Sequence, residues 1–459
     1  MMRFKGTGKF FVLTVVTVLS VFQLSACGGG GGGGNSSSSD NGGSIRFVNG
    51  VSDSTRLSMA ISDSVVSTIS FGTTSDELEY IPGNKEITFY AVDSSGDSEE
   101  LDLSVDVKLL DDHEVLVAVY GTLDNPQLQV VDVEEFDEND DYGQIGLLML
   151  SANQPALDMY LSADETGIYG NDPLFSNAEL GQFYGMQVVD EDEYRLQFTQ
   201  VGSKDSIYDG GYLDIVEDRN HFIIVFDNFG ATGGSMVAVE VAGSSSALEL
   251  ISDDSPSLIR FLNGIADYPS VDVYLGDTEG DPIFEDISFG QETAYSSLEA
   301  GAYSVNVTPH TVKDTFLLEK DLTLISGELS TLVASGLTLD EDTGVSGALI
   351  NDTVRNEITE AHLTFVHASA SNEEVDIYIL VPGQPITDTS PVISELDYLL
   401  SFDYEKAPGK YEIMVMQSSN EATVLGPISI TLSAGDNLDL YLLDNNGGGT
   451  PGTLEVYEL

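Results

Sequence analysis

A single cysteine, Cys27, stands in 459 residues, and tryptophan is absent. One thiol allows no intrachain disulfide, so each folded domain must rest on its own core. Without Trp, any stacking on a sugar ring would fall to the 20 Tyr and 20 Phe. Basic residues are scarce, 16 Lys+Arg against 77 Asp+Glu, for a net charge of −61. That excludes nucleic acid as a partner, because no basic surface exists to displace counterions. Direct docking on anionic lipid is equally unfavourable. No apolar period near 3.6 is sustained after residue 43, so an α-helical fold is not expected. His-Glu-x-x-His, Gly-x-Ser-x-Gly and a phosphate-binding loop are all missing. The five histidines, His113, His221, His310, His362 and His367, include no pair at helical metal-ligand spacing. Carboxylates are too abundant for proximity in sequence to nominate a glycosidase pair.

What is present begins at the N-terminus. Arg3, Lys5 and Lys9 precede an apolar stretch from Phe10 to Leu24, short for a membrane span but suited to a signal-peptide core. It ends in Leu24-Ser25-Ala26-Cys27, which resembles the lipobox of bacterial lipoproteins. The resemblance implies cleavage after residue 26 and acylation of Cys27, with several acyl chains giving stable anchoring. Gly28 follows, where lipoproteins retained at the inner membrane carry Asp, so the resemblance implies an outer-membrane lipoprotein on its periplasmic or surface face. Residues 28–43 are Gly, Ser, Asn and Asp only, a flexible tether with a reach of about 20–25 Å. Residues 1–26 hold three of the basic residues and no acidic one, so the remainder is net −64. A composition 41% hydrophobic argues for packed cores beneath that charge.

The rest of the chain repeats. Ile45-Arg46-Phe47-Val48-Asn49-Gly50 returns as Ile259-Arg260-Phe261-Leu262-Asn263-Gly264. Twelve residues after each start comes a second alternating strand, Leu57–Ile61 and Val271–Leu275. Ile145 with Leu157-Asp158-Met159-Tyr160-Leu161, and Leu363 with Val375-Asp376-Ile377-Tyr378-Ile379, keep the same offset. Turns such as Pro82-Gly83, Ala300-Gly301 and Pro408-Gly409 feed further alternating strands, and apolar runs close each copy, among them Val115–Tyr120 and Leu438–Leu443. Short strands at this density read as β-sandwiches. The expected fold is all-β: four tandem immunoglobulin-like sandwiches after the signal peptide and Gly/Ser tether. The expected segments are 1–26 signal peptide, 27–43 lipidated Cys and linker, then sandwiches at 44–135, 143–243, 257–350 and 360–459. Each is large enough to hold one core of its own, and acidic segments such as Glu134–Asp141 join them into a row.

The units resemble a bacterial family of unknown function that occurs in tandem in secreted and surface proteins, opening with His-Ala-Ser and continuing with Val-Asp-Val-Tyr. His367-Ala368-Ser369 with Val375-Asp376-Ile377-Tyr378 match best; the third copy keeps Val271-Asp272-Val273-Tyr274, and the first has lost the Asp and Tyr. The resemblance implies an immunoglobulin-like sandwich and no activity.

Three copies carry an Asp-x-Tyr pair on the face of the second strand opposite the core: Asp158/Tyr160, Asp272/Tyr274 and Asp376/Tyr378. A repeated binding platform and a solvated face both fit; alternation alone asks for polar residues there, which favours the second. Arg46 and Arg260 occupy equivalent outward positions, where an ordinary cross-strand ion pair is expected. The metal candidate is calcium at Asp137, Asn139 and Asp141, which have EF-hand-like ligand spacing, although Tyr142 and Leu148 stand where that loop needs Gly and Glu. No other cofactor is expected. The leading functional expectation is a non-enzymatic, acidic envelope protein for binding, adhesion or structure, held to the membrane through Cys27 and meeting an envelope protein or polysaccharide. The alternative is a periplasmic or surface lipoprotein that binds or processes carbohydrate.

Overall fold

The computed structural model describes residues 42–136, 141–163, 167–228, 235–242, 247–250, 255–338 and 344–459. Cys27, the signal peptide and the tether lie outside these residues, as do Asp137 and Asn139. The described chain is almost entirely strand, and Asn41–Leu459 forms one compact unit.

The strands form eight sheets, two to a sandwich, and the four sandwiches share one plan. In the first sheet an opening strand pairs parallel with a strand near the end of the same copy. These opening strands are Gly43–Val51, Tyr142–Met149, Ser257–Ile265 and Ala361–Ala368. Their parallel partners are His113–Thr122, Asn220–Asn228, Leu329–Gly336 and Asn437–Leu443. Each partner then turns antiparallel into a following strand, to which sandwich 2 adds one more, Leu248–Leu250. The second sheet is built on Arg56–Ile61, Leu157–Ser162, Ser270–Leu275 and Val375–Leu380, each flanked by a short edge strand and a hairpin. Alternation directs one face of each sheet inward. Ile45, Phe47, Leu57, Met59, Ile87 and Phe89 thus fill the first core, with the Phe47 and Phe89 rings 5.7 Å apart. In sandwiches 1 and 3 the Gly that opens the hairpin is required by the backbone: Gly83 and Gly301 sit at φ 140° and 148°.

The first sheets are buried on both faces. All nine residues of Gly43–Val51 and all eight of Leu329–Gly336 are buried, where alternation predicts an exposed half. The reason is a second set of cores between sandwiches. Val48, Leu116, Ala118 and Tyr120 of sandwich 1 pack against Leu148, Leu150, Phe222, Ile224 and Phe226 of sandwich 2. Leu262, Val333 and Ile350 of sandwich 3 pack against Val366, Ala368, Tyr441 and Leu443 of sandwich 4. The copies are therefore tandem in sequence but paired face to face in space, and the expected row of independent units is corrected. Full burial of each Leu, Ile or Phe in such a seam contributes about 1.5–3 kcal/mol, enough to join two sandwiches firmly.

The segment between sandwiches 3 and 4 straps the two pairs together. Arg355 donates to the Ser54 carbonyl at 2.6 Å, Ile358 N–H to the Asp53 carbonyl at 3.1 Å, and Thr55 Oγ1 to Glu357 at 2.6 Å. The Ser94 N–H adds a bond of 2.9 Å to Glu360.

Candidate functional site

The recurring polar residues are fasteners. His367, in the His-Ala-Ser motif, is buried; its Nε2 meets the Glu373 carbonyl at 2.6 Å, and burial lowers its pKa. Asn263 takes the same position in sandwich 3: its Nδ2 donates to the Ile287 carbonyl at 2.8 Å, and its Oδ1 accepts the Ile265 N–H at 3.0 Å. Asn49 does likewise with Ile69 and Val51. The two Asn tie the corner after the opening strand to the opposite sheet, and His367 ties it to the loop that leads into the second strand. Ser369 bonds to buried Asp444, and in sandwich 2 Ser151 bonds to buried Asp227, which also accepts the Asn153 N–H at 3.0 Å.

The Asp-x-Tyr pairs are a further set of fasteners, and the solvated reading is corrected for two of them; Asp376 and Tyr378 are half-buried. Asp158, Tyr160, Asp272 and Tyr274 are buried. Each Asp holds a bulge in the edge strand beside it, where one residue has left-handed backbone: Asn177 at φ 55°, Asp286 at 56° and Glu395 at 52°. The N–H of that residue reaches the Asp at 2.8 Å in sandwiches 2 and 3 and at 2.9 Å in sandwich 4. The second carboxylate oxygen of Asp158 accepts the Gly202 N–H at 2.8 Å, and that of Asp272 the Thr311 N–H at 3.2 Å. Tyr160 lies under Lys204, whose Nζ is 4.5 Å from the ring centroid and donates to the Ile168 carbonyl at 2.8 Å. A non-glycine residue at positive φ is costly, and an ionised acceptor on its N–H offsets that cost.

The densest polar cluster lies in the seam between sandwiches 3 and 4. Arg260 points outward from its opening strand, as the alternation predicts, but into the seam and not into solvent. Its Nη1 meets Glu292 at 2.7 Å, its Nε meets Thr331 Oγ1 at 2.7 Å and Asp352 at 3.2 Å, and its Nη2 bonds Asp439 of sandwich 4. The Tyr295 ring covers the guanidinium at 4.8 Å, with its hydroxyl 2.5 Å from Asp352. The Tyr441 hydroxyl lies 3.2 Å from Glu292 and 3.1 Å from Asp439. Three carboxylates thus surround one guanidinium, and all four side chains are at most 7% exposed. Burial pushes Glu292 up to about 7, against the pull of Arg260, and burial with the nearby Asp352 charge pushes Asp439 up to about 6. Burial alone would lower Arg260, but Asp352, Tyr441 and Glu292 hold it well above its usual value. The expected ordinary ion pair is in fact a buried four-member cluster, and its partner Asp439 lies 179 residues away in sequence.

Two adjoining clefts of about 330 and 350 Å³ open beside the cluster, and Asp352 lines both. Each carries one aromatic side chain, Tyr208 in the first and Phe71 in the second. Of the calcium candidates, Asp141 is exposed and its carbonyl accepts the Glu191 N–H at 2.9 Å. Among the described residues no group of three His, Cys, Asp or Glu side chains is placed to hold a metal ion. No described helix is long and apolar enough to cross a membrane.

Comparison with known proteins adds a family and little else. The model for a domain of unknown function, DUF4397, matches residues 43–160 and 257–378, just over half of the chain. Each match starts at the opening strand of a pair and runs through its seam into the second strand of the next sandwich. Protocadherin-16 of Rattus norvegicus is 39% identical over 69 residues, and that of Mus musculus 38% over 69 residues. These stretches are 15% of this chain and 2% of either relative, so the chain spans a small fraction of their length. Among solved structures, the Bacillus anthracis TIE protein is 11% identical. That alignment covers 85% of this chain and 66% of the other, with a TM-score of 0.16, too low to carry a structural argument.

Proposed function

We propose that this chain, which belongs to the DUF4397 family of domains of unknown function, is a lipid-anchored structural or docking module of the bacterial envelope with no catalytic activity of its own. The observation that supports this reading best is the employment of the motif residues. His367, Ser369, Asp376 and their counterparts each hold a corner, a bulge or a turn of their own sandwich. Residues that a catalytic family would keep free for substrate are here spent on holding strands in register. The seams then weld the sandwiches in pairs, giving a stiff acidic body suited to presenting a surface. Lipid on Cys27, the membrane partner in this reading, rests on the lipobox resemblance.

Cell fractionation tests the anchor. Cys27→Ser should leave the membrane fraction and appear as soluble protein. If it stays on membranes through a high-salt wash, the lipid anchor is wrong. Covalent probes for serine hydrolases and retaining glycosidases test the rest, since stoichiometric labelling of one residue would refute a non-catalytic role.

A further inference from the structure

We propose that the seam between sandwiches 3 and 4 is a proton-dependent clasp, closed while Glu292 and Asp439 hold bound protons and loosened as those protons are lost. The case rests first on counting charge. Glu292, Asp352 and Asp439 face the single guanidinium of Arg260 inside the seam, so full ionisation leaves two negative charges without a counterion. Buried charge without a partner is expensive, and a bound proton removes the expense. The hydrogen bonds agree. Tyr441 has one hydroxyl proton and two carboxylates within reach, Glu292 and Asp439, and cannot satisfy both. Asp439 Oδ1 is buried with no hydrogen-bond partner.

Every element around the cluster contributes to this balance. Sandwich 3 supplies Arg260 from its opening strand, Glu292 and Tyr295 from the edge segment, and Asp352 after its last strand. Sandwich 4 supplies Asp439 and Tyr441 from Asn437–Leu443, and Glu455 and Tyr457 from Thr453–Glu458. Tyr457 spends its hydroxyl on the Gly290 carbonyl, and Glu455 lies at the rim beside Gly290. None of these adds a second cation. The elevated pKa values of Glu292, about 7, and Asp439, about 6, fall on the carboxylates that the geometry leaves least satisfied.

The sign follows. In an opened, wetted seam the two carboxyls return toward ordinary values of 4.5 and 3.8. Closing therefore takes up protons. The resulting stability is fully present below those values and is lost as pH rises through about 6 to 7. Between pH 5 and pH 8 the opening equilibrium should rise roughly 700-fold, about 70-fold from Glu292 and about 10-fold from Asp439.

Thiol labelling on the full chain reads this directly. In a Cys27→Ser background, Ala368→Cys places a thiol in the seam between sandwiches 3 and 4, and Ala118→Cys one in the seam between 1 and 2. Glu114, at the rim of the latter seam, is itself raised to about 7 by burial, so every variant carries Glu114→Gln. After correction for thiolate fraction, labelling at 368 relative to 118 should climb roughly 700-fold from pH 5 to pH 8. Adding Glu292→Gln and Asp439→Asn should flatten it. Glu292→Gln alone should move the midpoint down toward about 6, the value of Asp439. A flat ratio with both carboxylates present, a rise that survives their removal, or a midpoint unmoved by Glu292→Gln would each overturn the clasp.

Discussion

The two seams are one frame finished in two chemistries. Register alignment places Phe222 of sandwich 2 where sandwich 4 has Asp439, and Ile224 where it has Tyr441. Arg46 and Arg260 occupy the same step of their opening strands, yet only Arg260 finds an acid across its seam at the Phe222 position. Around Arg46 the acids are at the rim: Glu114 accepts Asn220 Nδ2 at 3.2 Å, and the guanidinium donates to the Ser75 carbonyl at 2.8 Å. The apolar seam draws its strength from area and is indifferent to pH at its centre. The charged seam gives up some of that area for a cluster that only the correct partner completes, since Arg260 needs Asp439 from sandwich 4. Buried ion clusters are poor stabilisers but fix which surfaces pair. The difference teaches that pairing belongs to the backbone frame, while its selectivity and response to conditions belong to a few side chains.

The comparison can be broken most forcefully at Ile224. Ile224→Asp puts an unpaired charge into the apolar seam and should cost about 3–5 kcal/mol. Calorimetry should show the transition of sandwiches 1 and 2 fall while that of 3 and 4 holds; a fall in both would mean the pairs are not separate cooperative units. Arg260→Met leaves three acids without their cation and should cost about 3–5 kcal/mol at pH 8. Because Glu292 and Asp439 take up protons below about 7 and 6, the loss should shrink at pH 5, and a pH-independent loss would contradict the charge count. Asp158→Ala and Asp272→Ala should each cost about 1–3 kcal/mol by urea titration. Their bulge fasteners are built alike, so near-equal losses are expected although they lie in different pairs. The smallest effect is general screening: with 77 acids against 16 basic residues, added sodium chloride should raise both melting transitions modestly.

The sequence made much of this frame legible and hid the rest for physical reasons. Starts at 45, 145, 259 and 363, each followed by a strand twelve residues later, suffice to read four sandwiches, because strand period and turn residues are local signals. The seams are nonlocal. Their trace is the unbroken apolar run Val115–Tyr120 and the run Leu438–Leu443, broken only by Asp439, a pattern that marks a sheet covered on both faces. The Asp of Asp-x-Tyr reads as a surface residue because its partner is a backbone N–H at a bulge, and bulges leave no mark at the Asp itself. Arg260 was visible as an outward cation, but nothing local to it points to Asp439.

Whether the sandwiches are paired in twos and strapped into one body is tested most directly by small-angle X-ray scattering from the soluble segment beginning at Asn41. A compact body spanning Asn41–Leu459 should give a radius of gyration of about 22 Å. Four sandwiches strung end to end would give about twice that, roughly 45 Å, with a distance distribution tailing far beyond one pair. The account predicts the first result at neutral and acid pH, and the second would contradict it.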